Sequence, residues 1–330
     1  MPYYPQGPKE PPRKPPLKEQ PLFRLILLCV SALLVSYGAF RLLGYGAAWV
    51  SSRNTSRELR EIAAATEPAA TEPAIAPAPP PETAVPPAVN PTPEPTPEPA
   101  PVPAAAAAET AVPAEYLPAV EYPGGLNIVP RIRDLRKKSE YIMGWLTMDD
   151  LDEPVAFKDN DFFLNHDVKG NRNGNGALFM DEDTRLITRP YTILIYGHNM
   201  KTGAMFGNLH RYEQTAYCNR HRILRFDTLY EEGQYAIFAV ATIRLTPGTA
   251  GYVSLTDLQS DHRETRKKAL NALTSASVYS NILDVNEEDQ LLLLVTCVGD
   301  DDQRLIVAAR RLRENESPDN LILKNGGNPS

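Results

Sequence analysis

Cys297 closes an apolar run, Leu291-Leu292-Leu293-Leu294-Val295-Thr296, and Val298-Gly299-Asp300-Asp301-Asp302 leaves it at once as a polar loop. A thiol at the exit of a buried strand is held rigidly yet reachable from solvent, the setting a nucleophile needs. His198 repeats that arrangement: residues 191–196 read as a strand, and Gly197-His198-Asn199 breaks from it. Arg304 opens the run after the acidic loop, and alternation places Arg304, Ile306, Ala308 and Arg310 on one face. If the Cys297 and Arg304 strands pair through the short loop, the guanidinium lies near the thiol. Together the three residues can perform acyl transfer. The thiolate attacks a carbonyl, the imidazole passes the proton to the leaving amine, and a fixed cation or backbone N–H stabilises the oxyanion. The guanidinium keeps its charge and can also hold a substrate carbonyl.

Taken singly, each residue has an ordinary reading too. Cys297 could be a small buried hydrophobe, His198 a surface or satisfied histidine, and Arg304 a strand-end charge. His166, His210, His221 and His262 compete with His198, but none sits at the exit of so apolar a strand. Two distant cysteines, Cys218 and Cys297, make no disulfide framework, and a bridge between them would consume the nucleophile. Cys29 lies in an apolar segment and reads as lipid-facing or packed. The run GNRNGNG at 170–176 lacks phosphate-loop spacing and reads as a flexible turn. Neither acidic run, 300–302 or 284–289, has the EF-hand pattern, and HExxH and paired CxxC are missing, so no metal or cofactor is expected. The net charge is −7, with no Lys/Arg stripe interleaved with aromatics, which argues against nucleic acid as a partner.

The elements that must position these residues lie in the last part of a 330-residue chain. Residues 1–20, Pro-rich with Lys9, Arg13, Lys14 and Lys18, read as a disordered cytoplasmic tail. Residues 21–50 read as a transmembrane anchor: LILLCVSALLVSYGAF at 25–40 carries no charge, and Arg24 and Arg41 flank it. Basic residues precede the span, which puts the N-terminus in the cytosol and everything after Val50 outside. A cleaved signal peptide with its cut near Gly46-Ala47-Ala48 is the rival, and the long leading segment favours a retained anchor. Residues 51–124 read as an extracytoplasmic stalk, opening with a short charged helix at 51–62. From about 63 to 118 it is Ala/Pro/Glu/Thr-rich and partly polyproline II, with Tyr116 and Tyr122 as linker. Such a segment can stand a domain on the order of 150 Å from a bilayer.

Residues 125–315 have the mixed composition of one domain, and 316–330 read as a flexible tail. A helix is expected over 127–140, with Ile128, Ile132 and Leu135 on one side. Strand-like runs follow at 141–147, 154–157, 177–180, 191–196, 235–245, 290–297 and 304–312. A second helix interrupts the late strands at 263–277, with Asp261 and Glu264 as a capping box. Short strands with few helices make a mainly β fold, a barrel or sandwich with helical insertions.

The segment Tyr196-Gly197-His198-Asn199-Met200-Lys201-Thr202-Gly203-Ala204-Met205-Phe206-Gly207-Asn208-Leu209 resembles the histidine segment of class B sortases. Gly144-Trp145-Leu146, Glu153-Pro154-Val155, Lys158-Asp159-Asn160-Asp161, Leu164-Asn165-His166 and Ala177-Leu178-Phe179-Met180-Asp181 resemble that class in the same order. So does Leu293-Leu294-Val295-Thr296-Cys297 followed by Arg304-Leu305-Ile306-Val307. The likeness runs from about residue 128 to 312, nearly the whole globular part.

The resemblance implies an eight-stranded sortase-type β-barrel with an N-terminal helix and a helix inserted between late strands. It implies a catalytic set of Cys297, His198 and Arg304, with Thr296, Asn199, Asn160 and Asp181 as supporting or substrate-binding candidates. It implies a membrane-anchored transpeptidase outside a Gram-positive-type membrane. Such an enzyme cleaves a C-terminal sorting signal of surface proteins after Thr and passes the acyl group to an amine of the cell-wall precursor. The signal would be a Pro-containing pentapeptide such as Asn-Pro-x-Thr followed by Gly or Asn. Alternatives are a cysteine hydrolase on the same residues and a pilin-polymerising sortase. Two departures stand out. Leu293 and Val295 replace hydroxyl residues common before the nucleophile, and the Pro-rich stretch is longer than the family usually carries.

Overall fold

The computed structural model describes residues 21–66, 115–280, 282–300, 302–318 and 321. The expected tail at 1–20, most of the stalk (67–114) and most of the C-terminal tail lie outside the described residues.

Helix α1 (Pro21–Thr66) is continuous. It is long and apolar enough over its first part to cross a membrane, and Leu25, Leu33, Val35, Phe40 and Leu43 are exposed along it. The short helix expected at 51–62 is therefore not separate but the last turns of α1. Leu59 and Ala63 there are buried against the folded domain in a cluster with Ile132, Trp145 and Phe163. Polar contacts fasten the same stretch: Ser56 Oγ donates to Glu153 at 2.7 Å, Arg60 pairs with Glu153 at 2.6 Å, and Lys169 with Glu58 at 2.6 Å.

Helix α2 (Pro130–Arg136) is shorter than the sequence suggests. Pro130 sits at its first turn and biases Val129 away from helical angles, so the helix cannot start earlier. Ile132 and Leu135 are buried as expected, but Ile128 is exposed.

Eight strands close a barrel: β1 (Ile142–Met148), β2 (Leu151–Phe157), β3 (Leu178–Met180), β4 (Thr192–Tyr196), β5 (Ile223–Thr228), β6 (Gln234–Arg244), β7 (Leu291–Cys297) and β8 (Gln303–Arg311). Around the barrel the order is β1-β2-β3-β4-β7-β8-β6-β5. The sequence pattern missed β5, because Arg225 and Asp227 interrupt its apolar signal. Asp227 is fully buried and paired with Arg225 and Arg131. The connection from β4 to β7 contains α3 (Thr215–Arg220), β5, β6, α4 (Leu255–Leu258) and α5 (Arg263–Ser275). Helix α5 is capped by the His262 side chain, which accepts from the Thr265 N–H, rather than by the expected Asp261 box. The Asp261 carbonyl is instead engaged by the Leu117 N–H at 2.8 Å.

Strand alternation sorts side chains into an inner and an outer set. Leu292, Leu294, Leu305, Val307, Ile193 and Ile195 fill the barrel interior with residues from the other strands. Leu291, Leu293, Val295, Ile306, Ala308 and Leu194 face outward and are covered by Leu258, Leu270 and Leu273 of α4 and α5. β7 is apolar on both faces for this reason, being buried on both.

Residues placed in the stalk and tail by composition are partly docked. Tyr122 is buried and packs on Tyr230, and Tyr116 meets His262 edge-on at 5.3 Å. Arg310 holds Glu316, Arg222 donates to the Pro318 carbonyl, and Leu321 is buried. The described residues on either side of 67–114 rest on the domain. Thr66 Oγ1 donates to Asp134 at 3.3 Å, and the Glu115 carbonyl accepts from the Arg263 N–H at 2.8 Å.

Candidate active site

Cys297 is the last residue of β7 and is exposed, whereas the six residues before it are buried. It lies on the outward face with Leu293 and Val295, since side chains two apart share a face. Arg304 is its direct antiparallel partner on β8, so both side chains leave the same face at neighbouring positions. Arg304 is half-buried and donates from Nη1 to the Gln303 carbonyl at 2.9 Å. The loop between them is tied down. Asp302 accepts from Thr246 Oγ1 at 2.6 Å and pairs with Arg244 at 3.1 Å, which holds its carboxyl below the usual carboxylate range.

β4 runs parallel to β7 with Tyr196 beside Val295. Advancing both strands by two residues brings His198 level with Cys297. Three hydrogen bonds maintain that alignment past the strand ends. The Gly197 N–H donates to the Val295 carbonyl at 3.2 Å, Thr296 Oγ1 to the Gly197 carbonyl at 2.7 Å, and Asn199 Nδ2 to the Cys297 carbonyl at 3.0 Å. Thr296 and Asn199 thus splice the histidine segment to the cysteine strand.

The half-buried His198 ring places Nε2 at 2.8 Å from the Leu164 carbonyl. A carbonyl only accepts, so Nε2 carries a proton and Nδ1 is the nitrogen left for proton transfer. Gly176 lies against the same ring. A Cβ there would run into the Phe163 carbonyl and meet the Leu164 carbonyl at 3.0 Å and His198 Cδ2 at 3.1 Å, and its φ is +68°. Only glycine suits that position.

Asn160 and Asp181 are farther back. Buried Asp181 accepts from Asn160 Nδ2, Tyr196 OH and Gln259 Nε2, each at 3.1 Å. Burial, then the Asp181 charge, raises the Tyr196 phenol above its ordinary range and keeps it a neutral donor. Asn160 and Asp181 therefore buttress Tyr196, two residues before His198, rather than the cysteine itself. The Leu164 carbonyl, Gly176 and Tyr196 were not singled out as site groups from sequence. A backbone carbonyl has no sequence signal, but the glycine-rich run at 170–176 was the visible trace.

The described cysteines are all free. Cys218 is buried in α3, and burial pushes its thiol up to about 12. Among the described residues no group of three His, Cys, Asp or Glu side chains could hold a metal.

A family model described as a sortase domain matches residues 159–312. Sortase B of Listeria monocytogenes is 30% identical over 169 residues, which are 49% of this chain and 64% of that protein, just under two thirds of its length. Sortase B of Staphylococcus aureus is 25% identical over 169 residues, 50% of this chain and 67% of that protein. A Bacillus anthracis crystal structure described as similar to sortase B superposes with a TM-score of 0.51 at 30% identity, covering 60% of this chain and 90% of that one.

Proposed function

This chain belongs to the sortase family, in its class B, and on that premise we propose that it is a membrane-anchored cysteine transpeptidase acting through Cys297, His198 and Arg304. The observation that carries the reading is the direct pairing of Cys297 with Arg304 across β7 and β8, beside a histidine whose Nε2 is already committed. In this scheme His198 Nδ1 takes the Cys297 proton and the thiolate adds to the scissile carbonyl of a sorting signal, after its Thr. The Arg304 guanidinium stabilises the charge on the carbonyl oxygen. Collapse of the adduct breaks the peptide bond, and the imidazolium returns its proton to the leaving amine. The resulting thioester is attacked by an amine of the cell-wall precursor, which loses its proton to His198 as the Cys297 thiolate leaves, and the imidazolium returns that proton to the sulfur.

The outward position of the site supports a peptide substrate. A peptide can approach at the exposed end of β7, where Cys297 lies beyond the outward face that α4 and α5 cover. The exposed apolar first half of α1 supports anchoring by that helix, and the basic residues before it support an N-terminus inside and a barrel outside.

The test is mass spectrometry of the full chain in detergent with a library of Pro-containing pentapeptides, with and without added amines, beside Cys297→Ala. The expected result is an acyl adduct absent from the variant and an amine-dependent product. Cleavage indifferent to amine would replace transpeptidation by hydrolysis.

A further inference from the structure

The glycine- and asparagine-rich run at 170–176 takes no part in the chemistry above, yet it lies between the His198 ring and helix α1. On one side its loop holds the histidine, through the Leu164 carbonyl on Nε2 and the Gly176 backbone against the ring. On the other it grips α1. The buried Asn173 side chain donates to Ser52 Oγ at 3.0 Å and to the Ala48 carbonyl at 3.4 Å, and Asn175 Nδ2 also donates to Ser52 Oγ at 3.3 Å. Inside the loop the Asn173 backbone closes both arms. Its N–H donates to the Asn165 carbonyl at 2.8 Å, and its carbonyl accepts from the Gly176 N–H at 3.0 Å. Thus one residue contacts the helix with its side chain and the residues flanking the histidine clamp with its main chain.

A second segment converges on the same part of α1. After His198 the chain turns back, and the Phe206 N–H returns to the His198 carbonyl at 3.1 Å. Met205 in that turn has φ of 52°, a left-handed conformation uncommon for a side chain of its size. Residues 202–205 line a cavity together with Ser52, Arg53, Ser56 and Arg57 of α1. The helix therefore borders both segments that flank the His198 ring.

We propose that Ser52 and Asn173 are a positioning pair through which the juxtamembrane part of α1 sets the His198 ring, so that the anchor helix is a working part of the catalytic centre. This rests on the transpeptidase reading for the role of His198. Ser52 touches neither substrate nor reacting atoms and acts only through the loop. Strained and closely packed groups persist where surrounding structure over-determines them, and here the surrounding structure includes the helix.

The experiment uses the full chain in detergent micelles or nanodiscs, with Ser52→Ala, Asn173→Ala, the double variant and Ser52→Thr. Nitrogen-15 NMR of the imidazoles, assigned with His198→Ala, reads the His198 tautomer without requiring turnover. The same samples give kcat and KM for peptide cleavage. The wild type is expected in the Nε2–H form. Each alanine variant should admit the Nδ1–H form and lower kcat about tenfold with KM within about twofold. The double variant should be no worse than the worse single one, and Ser52→Thr should behave as wild type. An unchanged tautomer in both alanine variants overturns the proposal, whether or not kcat falls. If Asn173→Ala does not fold, Asn173→Asp keeps the size and removes the donor, and Ser52→Ala tests the pair from the helix side. A wild type that cleaves no peptide would count against the transpeptidase reading alone, because the tautomer still decides the proposal.

Discussion

Cys297 and Arg304 are cross-strand partners, separated in sequence by one short acidic loop and in space by one rung of the β7–β8 ladder. The backbone register makes the two side chains neighbours on one face of the ladder. Arg304→Ala should therefore lower kcat/KM by about 10²- to 10³-fold while leaving the fold intact. Arg304→Lys should recover only part of it, since a point charge on a flexible stem does not reproduce the planar fork. Steady-state kinetics on both variants, with thermal melts beside them, check this.

Gly176 has no room for a side chain. Gly176→Ala places a methyl group on the Phe163 and Leu164 carbonyls at a positive φ. The expected cost is about 1–3 kcal/mol of stability. The loss of peptide cleavage should exceed what the unfolded fraction explains, because the methyl group also abuts His198. Activity measured well below the melting temperature separates the two effects.

The two cysteines of the barrel should differ sharply in reactivity. Cys297 is exposed at a strand end, whereas Cys218 is buried with its thiol pushed up to about 12. At neutral pH an iodoacetamide pulse on the native protein should label Cys297 and spare Cys218 until the protein is unfolded. Peptide mapping after the pulse reads this directly, and equal labelling of both would contradict the burial of α3.

Acid should loosen the C-terminal end of the barrel. Hydrogen bonding to Arg310 holds the Glu316 carboxyl below its ordinary 4.5, and hydrogen bonding to Arg313 does the same for Asp284. Both bind protons less well folded than unfolded, so their contribution is complete above the unfolded value and is lost as pH falls through the folded one. Glu316→Gln should flatten this acid limb. Denaturant titrations between neutral pH and pH 3 would show it.

Halving the 67–114 segment should leave the barrel at the same height above the bilayer. Thr66 and Glu115, which flank that segment, rest on the domain, and α1 runs into the domain without a break. Energy transfer between a dye on Cys297 and a labelled bilayer should be unchanged in the shortened chain. A large change would restore the segment's role as a tether.

Much of this protein was legible in the residues themselves. The apolar runs ending at Cys297 and Tyr196 predicted buried strands with chemical groups at their exits, because period-two burial and an abrupt polar break are local signals. The helix at 263–275, buried Ile132 and Leu135, and the apolar first half of α1 were legible for the same reason. What the sequence could not determine is which strands touch. The parallel pairing of β4 with β7 depends on a connection of nearly a hundred residues, and it alone brings His198 level with Cys297. Strand β5 was hidden because its buried Asp227 is neutralised by Arg131 from a distant helix. Asn173 and Gly176 looked like turn residues because their partners, Ser52 and the Leu164 carbonyl, are set by tertiary contact and leave no local pattern. The Pro-rich segment reads as a spacer from composition, and only the fold brings the residues on either side of it, Thr66 and Glu115, into contact with the domain. Local chemistry wrote the elements and the reactive groups; non-local packing decided their geometry, because register and docking depend on residues far apart in the chain.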